Sequence, residues 1–64
     1  MNAITTHASQ LDNRTLVFAE GKGFLGYVKP LGAAFQVQDA NGVPVALKAR
    51  ESQAVAFFRY VEYR

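Results

Sequence analysis

The glycines are the first residues whose spacing suggests a chemistry, because Gly21-Lys22-Gly23-Phe24-Leu25-Gly26 matches the pattern G-x-G-x-x-G. In a dinucleotide-binding unit this pattern leads from a strand into a helix, and the helix N-terminus binds a pyrophosphate. Here an extended segment ending at Pro30 follows the glycines, and no acidic residue closes a unit of about 30 residues. We interpret these glycines as turn residues and expect no bound cofactor.

Acid–base and metal-binding side chains are few and scattered. The chain has no cysteine, and its single histidine, His7, lies in a polar segment. A catalytic or metal site requires several such groups that rigid elements hold together. We therefore expect a non-enzymatic protein with no catalytic and no metal-binding residues. An enzyme would need a ligand-sized pocket beside a titratable group, and the sequence does not lead us to expect one.

Length and charge narrow the classes of protein further. The chain has 64 residues and a formal net charge of +2. A domain of this size buries only about 60% of the surface that its unfolded chain exposes, and oligomerisation is one way of adding to its stability. The sequence has no long apolar run and no signal-peptide pattern. It therefore predicts a small basic cytoplasmic protein, of bacterial or phage type, with no membrane contact.

Three turn signals divide the chain into four strands. They are Gly21-Lys22, Pro30-Leu31-Gly32 and Ala40-Asn41-Gly42. In the third turn, Asp39 favours the first position and Gly42 the bulge position of a three-residue loop. Pro44 cannot donate a ladder hydrogen bond, so the fourth strand is predicted to lie at an edge of the sheet. Residues 1–13 are predicted to be flexible or to form a short helix.

The hairpin loops set the register and therefore decide which side chains share a face. A two-residue first loop pairs Leu16 with Tyr27. A three-residue second loop pairs Tyr27 with Phe35, and a three-residue third loop continues this face to Val45. The predicted core face carries Leu16, Phe18, Leu25, Tyr27, Phe35, Val37, Val45 and Leu47.

The period changes to that of a helix in the segment from Glu51 to Arg64, with Ser52 as its N-cap or an earlier start preceded by Ala49 or Arg50. Its apolar residues recur at i, i+3, i+4 and i+7 and are Ala54, Phe57, Phe58 and Val61. This apolar stripe is expected to cover the core face of the sheet. The predicted fold class is α+β, with residues 14–64 forming a four-stranded antiparallel β-meander packed against a C-terminal α-helix.

The second face of the sheet is predicted to be exposed and half apolar, with Val17, Phe24 and Val28 among small and polar residues. A solvated face normally carries polar residues, so this composition indicates an interface. Self-association into a homodimer is the first interpretation. A platform for a flat ligand, such as unpaired bases, is the alternative.

Four basic residues are predicted to lie at one end of the sheet, where strand 1 begins and strands 2 and 4 end. They are Arg14, Lys29, Lys48 and Arg50, and they are named the basic rim. With strands about 4.8 Å apart, these side chains would lie within roughly 15 Å of each other. A basic rim without intervening acids could bind phosphates, and ordinary solubilising charge is the other interpretation.

Residues 26–58, GYVKPLGAAFQVQDANGVPVALKARESQAVAFF, run strand, turn, strand and then an alanine- and aromatic-rich helix. At fold level this order resembles the arm-binding domains of phage integrases, in which a three-stranded sheet backed by a helix reads DNA. It is also similar to single-strand-binding transcriptional coactivators, which act as dimers. Neither resemblance includes a residue-specific motif, so neither assigns a role to any residue.

The leading interpretation is a small binding protein that contacts DNA or RNA through the basic rim and forms a homodimer. The alternative is a protein–protein interaction module, such as a phage- or plasmid-type inhibitor or adaptor, that acts through Val17, Phe24 and Val28. DNA, RNA and a protein all stay open as partners at this point.

Overall fold

The computed structural model describes the backbone of residues 3–62 and the side chains of residues 3–59. The elements are β1 (Ile4–Ala8), β2 (Thr15–Ala19), β3 (Gly23–Leu31), β4 (Ala34–Asp39), β5 (Pro44–Lys48) and α1 (Glu51–Glu62). The strands form one antiparallel sheet in the order β1-β2-β3-β4-β5, and α1 packs mainly on β3, β4 and β5. The predicted α+β meander with a C-terminal helix is confirmed, with five strands instead of four.

The additional strand is β1, in the segment for which the sequence predicts a flexible chain or a short helix. It pairs with β2 in a regular register, from Ile4 opposite Ala19 to Ala8 opposite Thr15. The β-branched run at its start favours a strand, and pairing with β2 gives its backbone groups hydrogen-bond partners. The prediction for this segment is wrong for that reason.

Helix α1 begins at Glu51, so Ser52 lies within its first turn and the alternative of an earlier start after Arg50 is the observed one. The amide of Ala54 donates to the carbonyl of Arg50 (3.1 Å) in this turn. Ala54 and Phe58 are buried, and Phe57 is half-buried. Residues 63–64 of the predicted helix and the side chain of Val61 lie outside the described residues. No helix among residues 3–62 is long and apolar enough to cross a bilayer.

The observed core combines the predicted core face of β4 with the opposite face of β2 and of the second half of β3. Its buried residues are Val17, Val28, Val37, Ala54 and Phe58. Of the predicted core face, Val37 is buried, and Leu25 and Phe35 are half-buried against this core. The other predicted core residues lie elsewhere: Leu16, Phe18 and Tyr27 on the opposite face, and Val45 and Leu47 with half or more of their surface exposed.

The second turn is the main source of this error. The sequence predicts the loop Pro30-Leu31-Gly32, whereas the structure has the two-residue loop Gly32-Ala33. Gly32 has a φ of 62°, a left-handed conformation that suits the first loop residue of such a hairpin. Val28 consequently lies opposite Val37. The register differs from the predicted one by an odd number of residues, so the two faces of β3 are exchanged relative to β4.

The third turn is predicted correctly. The amide of Gly42 donates to the carbonyl of Asp39 (2.9 Å), and Gly42 has a φ of 82°. Oδ1 of Asp39 accepts hydrogen bonds from the amides of Asn41 and Val43, each at 2.9 Å. Asp39 therefore opens a three-residue loop and its carboxylate satisfies two amides of that loop.

Strand β5 changes register directly after this turn. Val37 lies opposite Ala46. The next residue of β4, Gln38, lies opposite Pro44, so Val45 has no opposite residue and forms a β-bulge. Beyond the bulge, each side chain of β5 therefore lies on the face opposite to the predicted one. β5 lies at an edge of the sheet, as Pro44 predicts.

Small residues decide on which face α1 packs. A Cβ atom on Gly26 would lie 2.9 Å from Cε1 of Phe58 and would overlap the backbone oxygen of Gln38. The ring of Phe58 therefore rests directly on the backbone of β3. The opposite face carries Phe18 and Tyr27, whose larger side chains would hold a helix further from the sheet.

Candidate functional site

The face of the sheet opposite α1, named the open face, carries aromatic, amide and basic side chains. Residues directly opposite each other in antiparallel strands share a face, so the pairing between neighbouring strands identifies its members. They include His7, Leu16, Phe18, Phe24, Tyr27, Lys29, Gln36, Gln38 and Leu47. Aromatic rings and a few polar groups on an uncovered sheet face are typical of a binding surface.

Four rings of the open face form a continuous series, named the aromatic strip: His7, Phe18, Phe24 and Tyr27. The ring centroids of His7 and Phe18 lie 5.3 Å apart, and those of Phe18 and Phe24 lie 5.4 Å apart. Phe24 and Tyr27 follow at 5.0 Å with an interplanar angle of 73°. These tilted and edge-to-face contacts are favourable for aromatic pairs. They leave the three larger rings half-buried and His7 exposed.

A β-bulge in β3 brings Phe24 and Tyr27 to the same face. In a regular strand, residues three apart point to opposite faces. Here Phe18 lies opposite Phe24, whereas Val17 lies opposite Gly26. Leu25 is the extra residue and packs against the core. The aromatic strip therefore exists only because the alternation of β3 is interrupted at one residue.

The strip ends at Arg14, whose guanidinium carbon lies 3.9 Å from the centroid of the Tyr27 ring. Nε of Arg14 donates to Oδ2 of Asp12 (2.8 Å), and Nη1 donates to Oε1 of Gln38 (3.3 Å). Gln38 is only 6% exposed, and its amide nitrogen donates to Oε1 of Gln36 (2.9 Å). A ring, a carboxylate and an amide thus fix the guanidinium in place.

Asp12 stays ionised at neutral pH in this arrangement. The backbone amide of Arg14 donates to its Oδ1 (3.0 Å) and is the main reason why the pKa of this carboxyl lies below its usual value. Desolvation opposes the shift, and the guanidinium of Arg14 adds to it. The charge of Arg14 is therefore partly compensated, and Lys29 is the basic residue of the open face without such an ion pair among the described side chains.

The predicted basic rim is divided between the two faces of the sheet. Arg14 and Lys29 belong to the open face. Lys48 lies on the helix side, where its Nζ is 5.9 Å from the centroid of the Phe57 ring, and Arg50 immediately precedes α1. The rim also contains an acid, because Asp12 pairs with Arg14. The four residues lie towards the predicted end of the sheet. They do not form one surface without acids, because alternating positions of neighbouring strands face opposite sides and Asp12 lies beside Arg14.

The predicted apolar interface is also divided. Val17 and Val28 have no exposed surface and belong to the core beneath α1. Phe24 lies on the open face. The prediction that Val17, Phe24 and Val28 form one exposed surface is wrong because it used the register that the Gly32-Ala33 loop and the bulge at Leu25 exclude.

Sequence reasoning missed Phe18 and Tyr27 as surface residues, because their size and apolar character favour the core. It read His7 as a residue of a polar segment and gave it no place in the sheet. One local signal points to the correct face. In β4, Gln36 and Gln38 alternate with apolar neighbours, which indicates that the amides face away from the core. The register is needed as well, because only the pairing of Gln38 with Tyr27 places the ring beside the amides.

A groove of about 510 Å³ lies between β1 and α1, on the helix side of the sheet. Ile4, Thr6 and Val55 line it, together with the charged residues Glu51 and Arg59. The sequence does not lead us to expect a groove beside titratable groups, and this one is open to solvent and not an enclosed cavity. Among the side chains of residues 3–59, no three histidine, aspartate or glutamate groups lie close enough together to hold a metal ion.

Comparisons with known proteins do not identify a relative. No model of a known protein family matches the chain, and neither curated proteins nor solved structures give a match. The resemblances to integrase arm-binding domains and to single-strand-binding coactivators therefore stay predictions.

Proposed function

We propose that this protein is a non-enzymatic binding protein that binds single-stranded nucleic acid, DNA or RNA, on its open face. The observation that carries the proposal is the aromatic strip, which crosses three strands on a face that α1 does not cover and ends at a stacked arginine. Proteins that bind single strands combine aromatic rings, on which bases stack, with basic groups that contact the backbone.

The dimensions of the strip suit a short stretch of unpaired bases. Three strands about 4.8 Å apart give the strip a width of about 10 Å, which is room for roughly two or three bases. Arg14 at one end supplies a planar guanidinium on which a base can stack. Gln36, beside it on β4, supplies an amide that can hydrogen-bond to a base edge. A duplex offers no unpaired base to the strip.

The first test is fluorescence anisotropy of a labelled single strand and of the matching duplex, at about 50 and 200 mM salt. We expect the protein to prefer the single strand and to lose affinity as salt rises. Equal affinity for the duplex, or no binding to either at the lower salt, would contradict the proposal. If neither nucleic acid binds, the open face, with Phe24 at its centre, would be interpreted as a surface for a protein partner.

Replacing Phe24 with leucine tests the stacking contribution while keeping an apolar side chain of similar volume. Stacking contributes about 1–3 kcal/mol per base, so we expect Phe24→Leu to weaken single-strand binding roughly 5- to 150-fold. Phe24→Tyr keeps the ring and should bind within about twofold of the original protein. Leu47→Ala is the control, because Leu47 lies on the same face but outside the strip. Equal losses in Phe24→Leu and Leu47→Ala would indicate apolar contact without stacking.

Neutralising Lys29 and Lys48 one at a time distinguishes binding on the open face from binding along the whole basic rim. Both changes remove one positive charge, but only Lys29 lies on the open face. We expect Lys29→Gln to weaken binding and to lower the slope of log K against log salt by about one, whereas Lys48→Gln leaves the slope unchanged. The salt titration of the two variants checks this. Equal slopes in both would mean that the nucleic acid follows the rim.

A further inference from the structure

Strand β1 is an edge of the sheet, and among residues 3–62 no other strand pairs with its outer side. The amide of Ser9 donates to the carbonyl of Arg14 (2.9 Å), and the carbonyl of Ala3 accepts from the amide of Glu20 (2.8 Å). Backbone groups alternate in direction along an antiparallel strand. The N–H and C=O groups of Ile4, Thr6 and Ala8 therefore point away from β2. Three donors and three acceptors stand in a row on this edge.

The two edges of the sheet differ in how they are protected from pairing with another chain. Edge strands are usually blocked by proline, by charged residues or by β-bulges. β5 has all three, in Pro44, Lys48 and the bulge at Val45. β1 has none of them: its register is regular over five residues, and its sequence is ITTHA. Among residues 3–62, β1 is therefore the sheet edge that lacks these features and can accept another strand.

We propose that β1 pairs antiparallel with β1 of a second copy of this chain, about a two-fold axis at Thr6. This register sets Thr6 opposite the second copy's Thr6, and Ile4 opposite the second copy's Ala8. All outward-pointing groups of both strands then have partners, which gives six backbone hydrogen bonds. A two-fold interface must be self-complementary. The outer side of β1 is self-complementary because its outward-pointing N–H and C=O groups are distributed symmetrically about Thr6.

The groove beside β1 favours a second copy over an unrelated strand. Glu51 and Arg59 both line this groove and lie about two turns apart along α1. A two-fold axis perpendicular to the sheet reverses the direction of α1 in the second copy. The end of the joined groove that carries Glu51 of one copy therefore carries Arg59 of the other, and opposite charges meet at both ends.

The test is the mass of the protein, measured by sedimentation or light scattering without nucleic acid, from about 10 µM to 1 mM. We expect the mass to rise towards twice 7.0 kDa with concentration. Thr6→Lys sets two like charges opposite each other at the axis. Because like charges repel across an interface, this change should weaken the dimer at least tenfold. Thr6→Glu should do the same, and an equimolar mixture of the two variants should dimerise again.

Leu47→Lys is the matched control, because it adds the same charge at the other edge, on a residue that is 59% exposed. A dimer that Leu47→Lys dissociates and Thr6→Lys does not would overturn the proposal in favour of β5. A dimer insensitive to both changes, or a monomer over the whole concentration range, would also overturn it. Circular dichroism verifies folding, and Ala8→Lys replaces Thr6→Lys if that variant unfolds. The result is independent of the proposed nucleic-acid binding.

Discussion

Replacing Phe58 with alanine is expected to remove most or all of the stability of this protein. Phe58 is 4% exposed and its ring rests on Gly26, at the centre of the contact between α1 and the sheet. Truncating a buried phenylalanine costs about 3–5 kcal/mol. A chain of 64 residues has a total free energy of unfolding of only about 3–10 kcal/mol. Urea unfolding followed by circular dichroism measures the loss.

Phe57→Ala is the matched control for this prediction. Phe57 is the next residue of the same helix and contacts Phe58 edge to face, with ring centroids 5.9 Å apart. It is only half-buried, so its truncation removes less area from the core, and we expect a cost of about 1–2 kcal/mol. Equal destabilisation by the two substitutions would contradict the packing of Phe58 on Gly26.

Replacing Gly26 with alanine is expected to destabilise the protein by about 3 kcal/mol, at the upper end of the cost of overpacking a core. The added Cβ would lie 2.9 Å from Cε1 and 3.0 Å from Cζ of Phe58, and it would overlap the backbone oxygen of Gln38. A backbone atom in a paired strand cannot yield as a flexible side chain does. Separation of α1 from the sheet or of β3 from β4 is therefore the expected consequence.

A double-mutant cycle distinguishes this steric effect from a general loss of stability. Phe58→Leu shortens the side chain above Gly26, so the cost of Gly26→Ala should fall by about 1 kcal/mol in that background. Gly21→Ala is a contrasting control, because a Cβ there meets nothing within 4 Å while its φ of 82° still strains an alanine. Its cost should be about 1 kcal/mol and should not depend on residue 58. Additive effects of Gly26→Ala and Phe58→Leu would contradict the contact.

Several features of the fold were predictable because they depend on local chemistry. Asp39 and Gly42 specify the third turn through a carboxylate that accepts loop amides and a residue that adopts a positive φ. The spacing of Ala54 and Phe58 specifies α1 and its buried stripe. Pro44 specifies an edge strand because it lacks an amide hydrogen. Each inference needs only the residues within one element or turn.

The candidate site was predictable only in kind. A sheet face with an exposed aromatic residue follows from the composition, and Phe24 is common to the predicted and observed faces. The ligand of this face stays a proposal. The remaining members changed. Val17 and Val28, predicted on the exposed face, lie beneath α1, whereas Phe18 and Tyr27, predicted in the core, lie on the open face. Lys29 and Lys48, predicted as neighbours in one rim, lie on opposite faces.

The sequence by itself determined the meander, its third turn, its β5 edge and the helix that follows it, because these depend on short-range preferences. Only the tertiary structure decided which face became the core. Side chains in a strand alternate with a period of two, so one bulge residue, such as Leu25 or Val45, reverses every position beyond it. The choice between the faces then depends on fit. Phe58 needs the space above Gly26, and that complementarity involves residues far apart in the chain.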